Sequence, residues 1–106
     1  MSFKIYKYKL CSVVEVLGGV DTPDLVNAQI PVMSTILSVG AQGNDIVAWA
    51  EVDPKSPKSA RFFRLAKTGQ SVGRPSFHEY KGTVQFFDGS YVVHVYDFFT
   101  DSTYTL

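Results

Sequence analysis

His94 lies in the segment GSYVVHVYDFF, residues 89–99, where its imidazole could act as an acid, a base or a ligand. Asp88-Gly89 is a favoured pair for a two-residue type I′ turn, so we expect a hairpin that places Thr83 opposite His94. Opposed residues of an antiparallel pair share a face of the sheet. The chemistry open to His94 therefore depends on which side chains share its face.

The predicted hairpin has one apolar face and one mixed face. The apolar face is expected to belong to the core and carries Phe86, Tyr91, Val84, Val93 and Val95. The mixed face carries Lys81, Thr83, Gln85, His94 and Tyr96, with Val92 and Phe98 beside them. The hydroxyl and amide groups can hydrogen-bond the imidazole whether it serves structure or a ligand. We favour a structural role, because this register assembles no acid, base and nucleophile together.

The spacing of the ionisable residues does not predict a metal site. His94 and Asp97 are three residues apart, so on a strand they point to opposite faces. His78 and Glu79 are adjacent and diverge in the same way. We therefore expect no metal and no cofactor.

Two glycine-containing patterns resemble catalytic motifs but lack their context. GQSVG, residues 69–73, has the spacing of a nucleophile elbow, which requires a strand, a strained turn and a helix in a large α/β sheet. Here Arg74-Pro75 follows, and the chain is too short for such a sheet. KTGQSVGR also lacks the lysine and hydroxyl residue that follow the last glycine of a phosphate-binding loop. We predict no catalytic residues and no enzymatic activity.

Gly43-Asn44 predicts a second hairpin, which contains the single tryptophan. One of its faces pairs Leu37, Val39 and Ala41 with Ala50, Ala48 and Ile46, and the other pairs Ser38, Gly40 and Ile36 with Trp49, Val47 and Glu51. Either face could be buried. Trp49 then either closes the end of the core, with Gly40 leaving room for the indole, or serves as a partly exposed anchor for a partner.

Basic residues are concentrated in one segment of the sequence, with no acidic residue between positions 54 and 74. The segment contains Lys55, Lys58, Arg61, Arg64, Lys67 and Arg74. Arg61 and Arg64 should project to opposite sides of a strand, which divides the cluster. These charges either discourage aggregation of a loop and an edge strand, or form the rim of a contact with an acidic protein or nucleic acid.

The elements that would position these residues are short strands. Runs of β-branched and aromatic residues predict strands at 3–10, 12–17, 34–41, 45–53, 60–67, 81–87 and 91–98, with a weak eighth at 102–105. Residues 18–31 are expected to be a long connection, in which Thr22 could cap a helical turn opened by Pro23. We predict an all-β fold, or a β-rich one with at most one short helix, as a small antiparallel sandwich or barrel of about seven strands.

Composition limits the remaining function classes. A chain of 106 residues with 45% hydrophobic content is expected to form one domain, residues 1–106. Ten basic and ten acidic residues give no net charge and hence no general attraction to nucleic acid or membrane. Cys11 is the only cysteine, which excludes an intramolecular disulfide and favours a reducing compartment. Without a segment typical of a signal peptide or a membrane span, a cytoplasmic protein is expected.

Seven segments of the sequence resemble a family of small proteins of unknown function encoded by tailed phages and prophages. They are IYKYKL at 5–10, IP at 30–31, ILSVGAQ at 36–42, IVAWAEVD at 46–53, RFFRLAKTG at 61–69, EYKGTVQ at 79–85 and VVHVYD at 92–97. The resemblance implies a phage product that acts in the cytoplasm of an infected bacterium. It implies no activity and no catalytic residues.

Three hypotheses of function remain open at this level. The preferred one is a non-enzymatic accessory protein that binds, and in doing so inhibits or redirects, a host or phage macromolecule. A protein partner is favoured over nucleic acid, with Trp49, His94, Tyr96 and Phe98 as anchors. The alternative is a minor virion or self-assembling component whose edge strands pair with copies of itself. The least favoured is a small enzyme or ligand-binding protein that uses Thr83, Gln85 and His94.

Overall fold

The computed structural model describes residues 2–13, 25–69 and 79–98, which form seven strands in two antiparallel sheets. The strands are β1 (Lys4–Ser12), β2 (Leu25–Pro31), β3 (Thr35–Gln42), β4 (Asp45–Val52), β5 (Lys58–Lys67), β6 (Glu79–Phe86) and β7 (Tyr91–Asp97). One sheet has the order β1-β4-β3 and the other the order β2-β5-β7-β6. The sheets pack face to face, so the predicted all-β sandwich is confirmed. In the described ranges no helix is long and apolar enough to cross a membrane.

The core lies between the sheets and follows the alternation of side chains along each strand. In the three-stranded sheet β4 contributes Ile46, Ala48, Ala50 and Val52. In the four-stranded sheet the buried residues include Phe63, Leu65, Val84, Val93 and Val95. Burial of a large aliphatic or aromatic side chain of this kind stabilises the fold by roughly 1.5–3 kcal/mol. Side chains at the intervening positions face outward.

The β6–β7 hairpin has the predicted register near His94 but a longer turn. Thr83 lies opposite His94, and the pairing continues to Phe86 opposite Tyr91. The turn covers four residues, 87–90, instead of two, because Phe87 also adopts a positive φ of 55°. The Gly89 N–H donates to the Phe86 carbonyl at 3.1 Å. The register is unchanged because the two extra turn residues are added symmetrically, one on each side of the predicted pair.

Two β-bulges change the pairing that the sequence predicts farther from the turns. In β6 the register shifts between Tyr80 and Gly82, so that Tyr80 instead of Lys81 lies opposite Tyr96. In β3 the register shifts between Ile36 and Ser38, so that Ile36 lies opposite Ala50 instead of Glu51. The second bulge buries Ile36 and leaves Leu37 exposed.

β2 corrects the prediction that residues 18–31 form a long connection. Residues 25–31 pair with β5 along their whole length as an edge strand. Its Val26, Ala28 and Ile30 alternate with exposed Asn27 and Gln29. Other predicted features lie outside the described residues, namely most of the strand at 12–17, the capped turn at Thr22-Pro23, Arg74, His78 and the strand at 102–105.

Candidate functional site

The candidate site is the side of the four-stranded sheet that faces away from the core. Cross-strand pairing places Arg64, Tyr96 and Tyr80 in one row across β5, β7 and β6. The next row contains Ala66, His94 and Thr83. We call this surface the aromatic face, and its members are Phe62, Arg64, Tyr80, Thr83, Gln85, His94, Tyr96 and Phe98.

The aromatic side chains of this face are held by the sheet but are not part of the core. Tyr80 is 53% exposed, and its ring contacts that of Tyr96 edge to face at 5.5 Å. Phe62, Tyr96 and Phe98 are half-buried. The Phe98 N–H donates to the Phe62 carbonyl at 3.0 Å, which places these two residues side by side. Rigid aromatic groups of this kind offer contact area at a low cost in conformational entropy.

His94 lies at the centre of a chain of hydrogen bonds on this face. Its Nε2 lies 2.8 Å from the Thr68 hydroxyl oxygen, and its Nδ1 lies 3.0 Å from the Thr83 hydroxyl oxygen. The Tyr80 hydroxyl is hydrogen-bonded to Thr83 in turn. A hydroxyl can both donate and accept, so the chain is satisfied for either tautomer of the imidazole. The partnership of His94 and Thr83 agrees with the sequence, whereas the sequence did not indicate Thr68.

The charges of the aromatic face have one sign. The register of β5 places Lys58 and Arg64 on this side of the sheet. None of the described residues whose register places them on this face is an aspartate or a glutamate. The nearby carboxylates Glu79 and Asp97 lie opposite each other in the register. Their positions belong to the other side of the sheet. Polar groups with hydrogen-bonding capacity, including the exposed Gln85, surround the aromatic rings.

Arg61 does not belong to a basic rim, which corrects the sequence prediction. It is buried on the inner side of β5, where its guanidinium binds Asp97 through two hydrogen bonds. A third bond joins Arg61 Nη1 to the Ser34 carbonyl at 3.1 Å. The prediction that Arg61 and Arg64 project to opposite sides of one strand is confirmed.

The other basic residues of the segment that the structure describes are too dispersed to form one patch. Lys55 lies in the loop between β4 and β5, and Lys58 and Lys67 lie at opposite ends of β5. Lys81 also leaves the aromatic face. Because of the bulge in β6, its Nζ donates to the Ile36 carbonyl of β3 at 3.1 Å and forms an ion pair with Glu79.

Trp49 belongs to the opposite outer surface of the sandwich. It lies between Lys7 and Ser38 on the outer side of the three-stranded sheet. A Cβ atom added at Gly40 would approach Trp49 Cζ3 to 3.0 Å, so the absence of a side chain there leaves room for the indole. Trp49 and His94 are outward residues of different sheets, so they do not lie on one surface of the molecule.

The described residues contain no group of three or more histidine, cysteine, aspartate or glutamate side chains placed to hold a metal ion. His94 points outward from β7 and Asp97 points inward. The aromatic face presents apolar contact area, hydrogen-bonding groups and positive charge.

A family model described as a domain of unknown function, DUF7352, matches residues 1–102. The comparison with curated proteins and the comparison with solved structures give no match. The family match covers every described strand. The chain therefore belongs to the DUF7352 family.

Proposed function

We propose that this protein is a non-enzymatic phage accessory protein that binds a host or phage protein through the aromatic face. The observation that carries the proposal is the row of Arg64, Tyr96 and Tyr80, in which an exposed tyrosine lies beside a half-buried tyrosine and a half-buried arginine on the outer side of the sheet. Tyrosine and arginine are enriched among the residues that contribute most to protein interfaces. Binding at this face would inhibit or redirect the partner.

The arrangement of charge favours a protein over nucleic acid as the partner. Contacts with nucleic acid draw much of their affinity from several cations that neutralise successive phosphates. Arg61 is neutralised by Asp97 inside the sandwich, and Lys55 and Lys67 lie away from Arg64. A face with one or two cations beside tyrosines is instead suited to a partner protein whose surface combines apolar residues with a carboxylate.

The environment of His94 favours binding over catalysis. Both ring nitrogens are within hydrogen-bonding distance of threonine hydroxyls, and among the described residues no carboxylate is bonded to the imidazole to orient it as a base. A nucleophile needs activation by an adjacent base and an oriented third group. The polar chain is better suited to fix the positions of Tyr80 and Thr83 on the surface.

The phage context rests on the resemblance of the seven sequence segments to proteins of tailed phages and prophages. Under this proposal the protein acts in the cytoplasm of an infected bacterium. A stoichiometric binding protein is consistent with one small domain, which has little volume for a deep substrate cavity.

Affinity capture from lysate of phage-infected bacteria, treated with nuclease, tests the proposal. We compare the wild-type protein with the Tyr80→Ser variant and with Leu37→Ser, a matched change of an exposed apolar residue on the other sheet. Truncation of an interface tyrosine typically costs about 2 kcal/mol, so Tyr80→Ser should reduce recovery of one bacterial or phage protein roughly tenfold or more. Leu37→Ser should recover it fully.

Three outcomes of this capture would contradict the proposal. One is that no protein is reproducibly enriched by the wild type. The second is that Tyr80→Ser and Leu37→Ser recover equal amounts. The third is that the captured material is recovered from untreated lysate but not from lysate treated with nuclease, which would make nucleic acid the partner.

A further inference from the structure

The free edge of β1 is the second surface of the molecule with the properties of a contact site. β1 is an edge strand that pairs with β4, and none of the described strands pairs with its other edge. Residues Lys4 to Lys7 are all exposed. Large apolar side chains are unusually frequent here, since Phe3 is 58%, Ile5 61% and Tyr6 41% exposed. An exposed apolar edge strand is a template for pairing with another chain.

Two of the three lysines of β1, Lys7 and Lys9, do not protect this edge in the usual way. Lysines on edge strands normally discourage pairing because their ammonium groups extend into solvent beside the strand. Here Lys7 Nζ donates to Gln42 Oε1 of β3 at 3.1 Å, which directs the charge across its own sheet. Lys9 Nζ lies 3.7 Å from Asp45 Oδ1 of β4. Since these charges already have partners within the sheet, the edge does not require an acidic strand beside it.

The sequence of β1 is compatible with antiparallel pairing to itself. In an antiparallel pair, residues that lie directly opposite each other point to the same face of the sheet. A two-fold axis that relates two copies of β1 therefore has to pass through a residue and not between two residues. An axis at Tyr6 places Ile5 opposite Lys7 of the second copy and Lys4 opposite Tyr8, so that no lysine is directly opposed to a lysine. An axis at Lys7 would oppose the two copies of that lysine. An axis at Ile5 would leave only residues 4–6 of β1 paired, since β1 begins at Lys4.

We propose that two copies of this chain associate through β1, antiparallel about a two-fold axis at Tyr6, to form one continuous six-stranded sheet. The pairing satisfies the free backbone groups of residues 4–8 and covers Ile5 and Tyr6 of both copies. It uses the sheet opposite the aromatic face and leaves that face open in each copy. The dimer is therefore independent of the binding activity proposed above.

Charge variants at Ile5 test both the association and its register. In sedimentation velocity over a range of concentrations up to about 1 mM, the wild type should show a reversible monomer–dimer equilibrium. Ile5→Lys places two lysines opposite each other at two symmetric positions and should raise the dissociation constant about tenfold or more. Ile5→Glu places a carboxylate opposite Lys7 of the partner and should preserve or tighten the dimer. Leu37→Lys, at an exposed apolar position on β3, should leave it unchanged.

Disulfide trapping gives a readout that does not depend on the affinity. Tyr6→Cys places two thiols at the two-fold axis, within the distance that a disulfide spans, and oxidised glutathione accepts the two electrons as the bond forms. Covalent dimer should form with Tyr6→Cys and not with Ser38→Cys, at an exposed position on β3. A strictly monomeric wild type, or equal weakening by Ile5→Lys and Ile5→Glu, would overturn the proposal. Equal trapping at positions 6 and 38 would overturn it as well.

Discussion

Arg61 and Asp97 form a buried ion pair that joins two neighbouring strands at one end of the sandwich. The guanidinium Nε lies 3.0 Å from Oδ1 and Nη2 lies 2.6 Å from Oδ2, while Asp97 is 1% exposed. The third bond of Arg61, to the Ser34 carbonyl, connects β5 to the turn that precedes β3. The pair therefore links the four-stranded sheet to the start of a strand in the other sheet.

Loss of one member of this pair should strongly destabilise the protein. Arg61→Met leaves the Asp97 carboxylate buried without its counter-charge, and we expect a loss of about 3–5 kcal/mol in the free energy of unfolding. The double variant Arg61→Met/Asp97→Leu should recover much of that loss, because apolar residues need no counter-charge. Urea unfolding measures both values. A loss below about 1 kcal/mol for Arg61→Met would contradict the buried pair.

Gly40→Ala should change the environment of the single tryptophan. The added methyl group would lie 3.0 Å from Trp49 Cζ3 and 3.3 Å from Cη2, so the indole must shift. We therefore expect a change in the wavelength of tryptophan emission. Ser38→Ala, on the same face, serves as the control and should leave the emission unchanged. Identical spectra for all three proteins would mean that Trp49 does not pack on Gly40.

Tyr8→Phe should not destabilise the protein, although it removes a hydroxyl group. The Tyr8 hydroxyl is buried and has no hydrogen-bond partner among the described residues, so its removal should be neutral or should stabilise the fold by up to about 1–3 kcal/mol. A clear loss of stability below pH 9 would show that the hydroxyl has a partner in solution. Thermal and urea unfolding near neutral pH provide the comparison.

The same variant should differ from the wild type at high pH. Burial, with a smaller contribution from Tyr6, raises the pKa of Tyr8 above 10.0 in the folded protein. Above pH 10 the unfolded chain therefore releases this proton more readily than the folded one, and stability falls as the pH rises through the folded pKa. Tyr8→Phe should lose less stability between pH 9 and pH 11 than the wild type. Parallel pH profiles would contradict the raised pKa.

Met33→Gly should stabilise the β2–β3 turn. Met33 has a φ of 63°, in the left-handed region that favours glycine, and its side chain is largely exposed, so little packing is lost. Relief of the strain is expected to exceed the entropic cost of glycine by up to about 1 kcal/mol. Thr35→Gly, at an exposed position of β3 with ordinary backbone geometry, should instead destabilise the protein. A lower melting temperature for Met33→Gly than for Thr35→Gly would contradict backbone strain at Met33.

The surroundings of His94 could be predicted because they depend on local sequence. Asp88-Gly89 determines where the chain reverses, and the period of two along β6 and β7 then assigns Thr83 and His94 to one face. The predicted pairing of Thr83 with His94 is correct although the predicted turn is two residues too short, because Phe87 and Ser90 extend the turn equally on both sides. The alternation in β2 was also present in the sequence, as Val26, Ala28 and Ile30. Pro31 and the glycine, proline and aspartate residues that precede β2 in the sequence obscured it.

The rest of the site depends on contacts between distant parts of the chain. Arg61 and Asp97 are separated by 36 positions, and no local pattern indicates that they bind each other. The bulge that removes Lys81 from the aromatic face allows its ammonium group to reach the Ile36 carbonyl in the other sheet. The position of Trp49 on the outer side of the three-stranded sheet likewise follows from the pairing of β1 with β4. These features arise from packing and not from the period of the sequence.

Site-specific photo-crosslinking in phage-infected cells tests the aromatic face most directly. A photoreactive phenylalanine analogue replaces Tyr80 or Gln85, both exposed on that face, and in a control replaces Gln42 on the other sheet. We predict that positions 80 and 85 form an adduct with the same host or phage protein and that position 42 does not. Adducts at position 42 alone, or none at positions 80 and 85, would contradict the account.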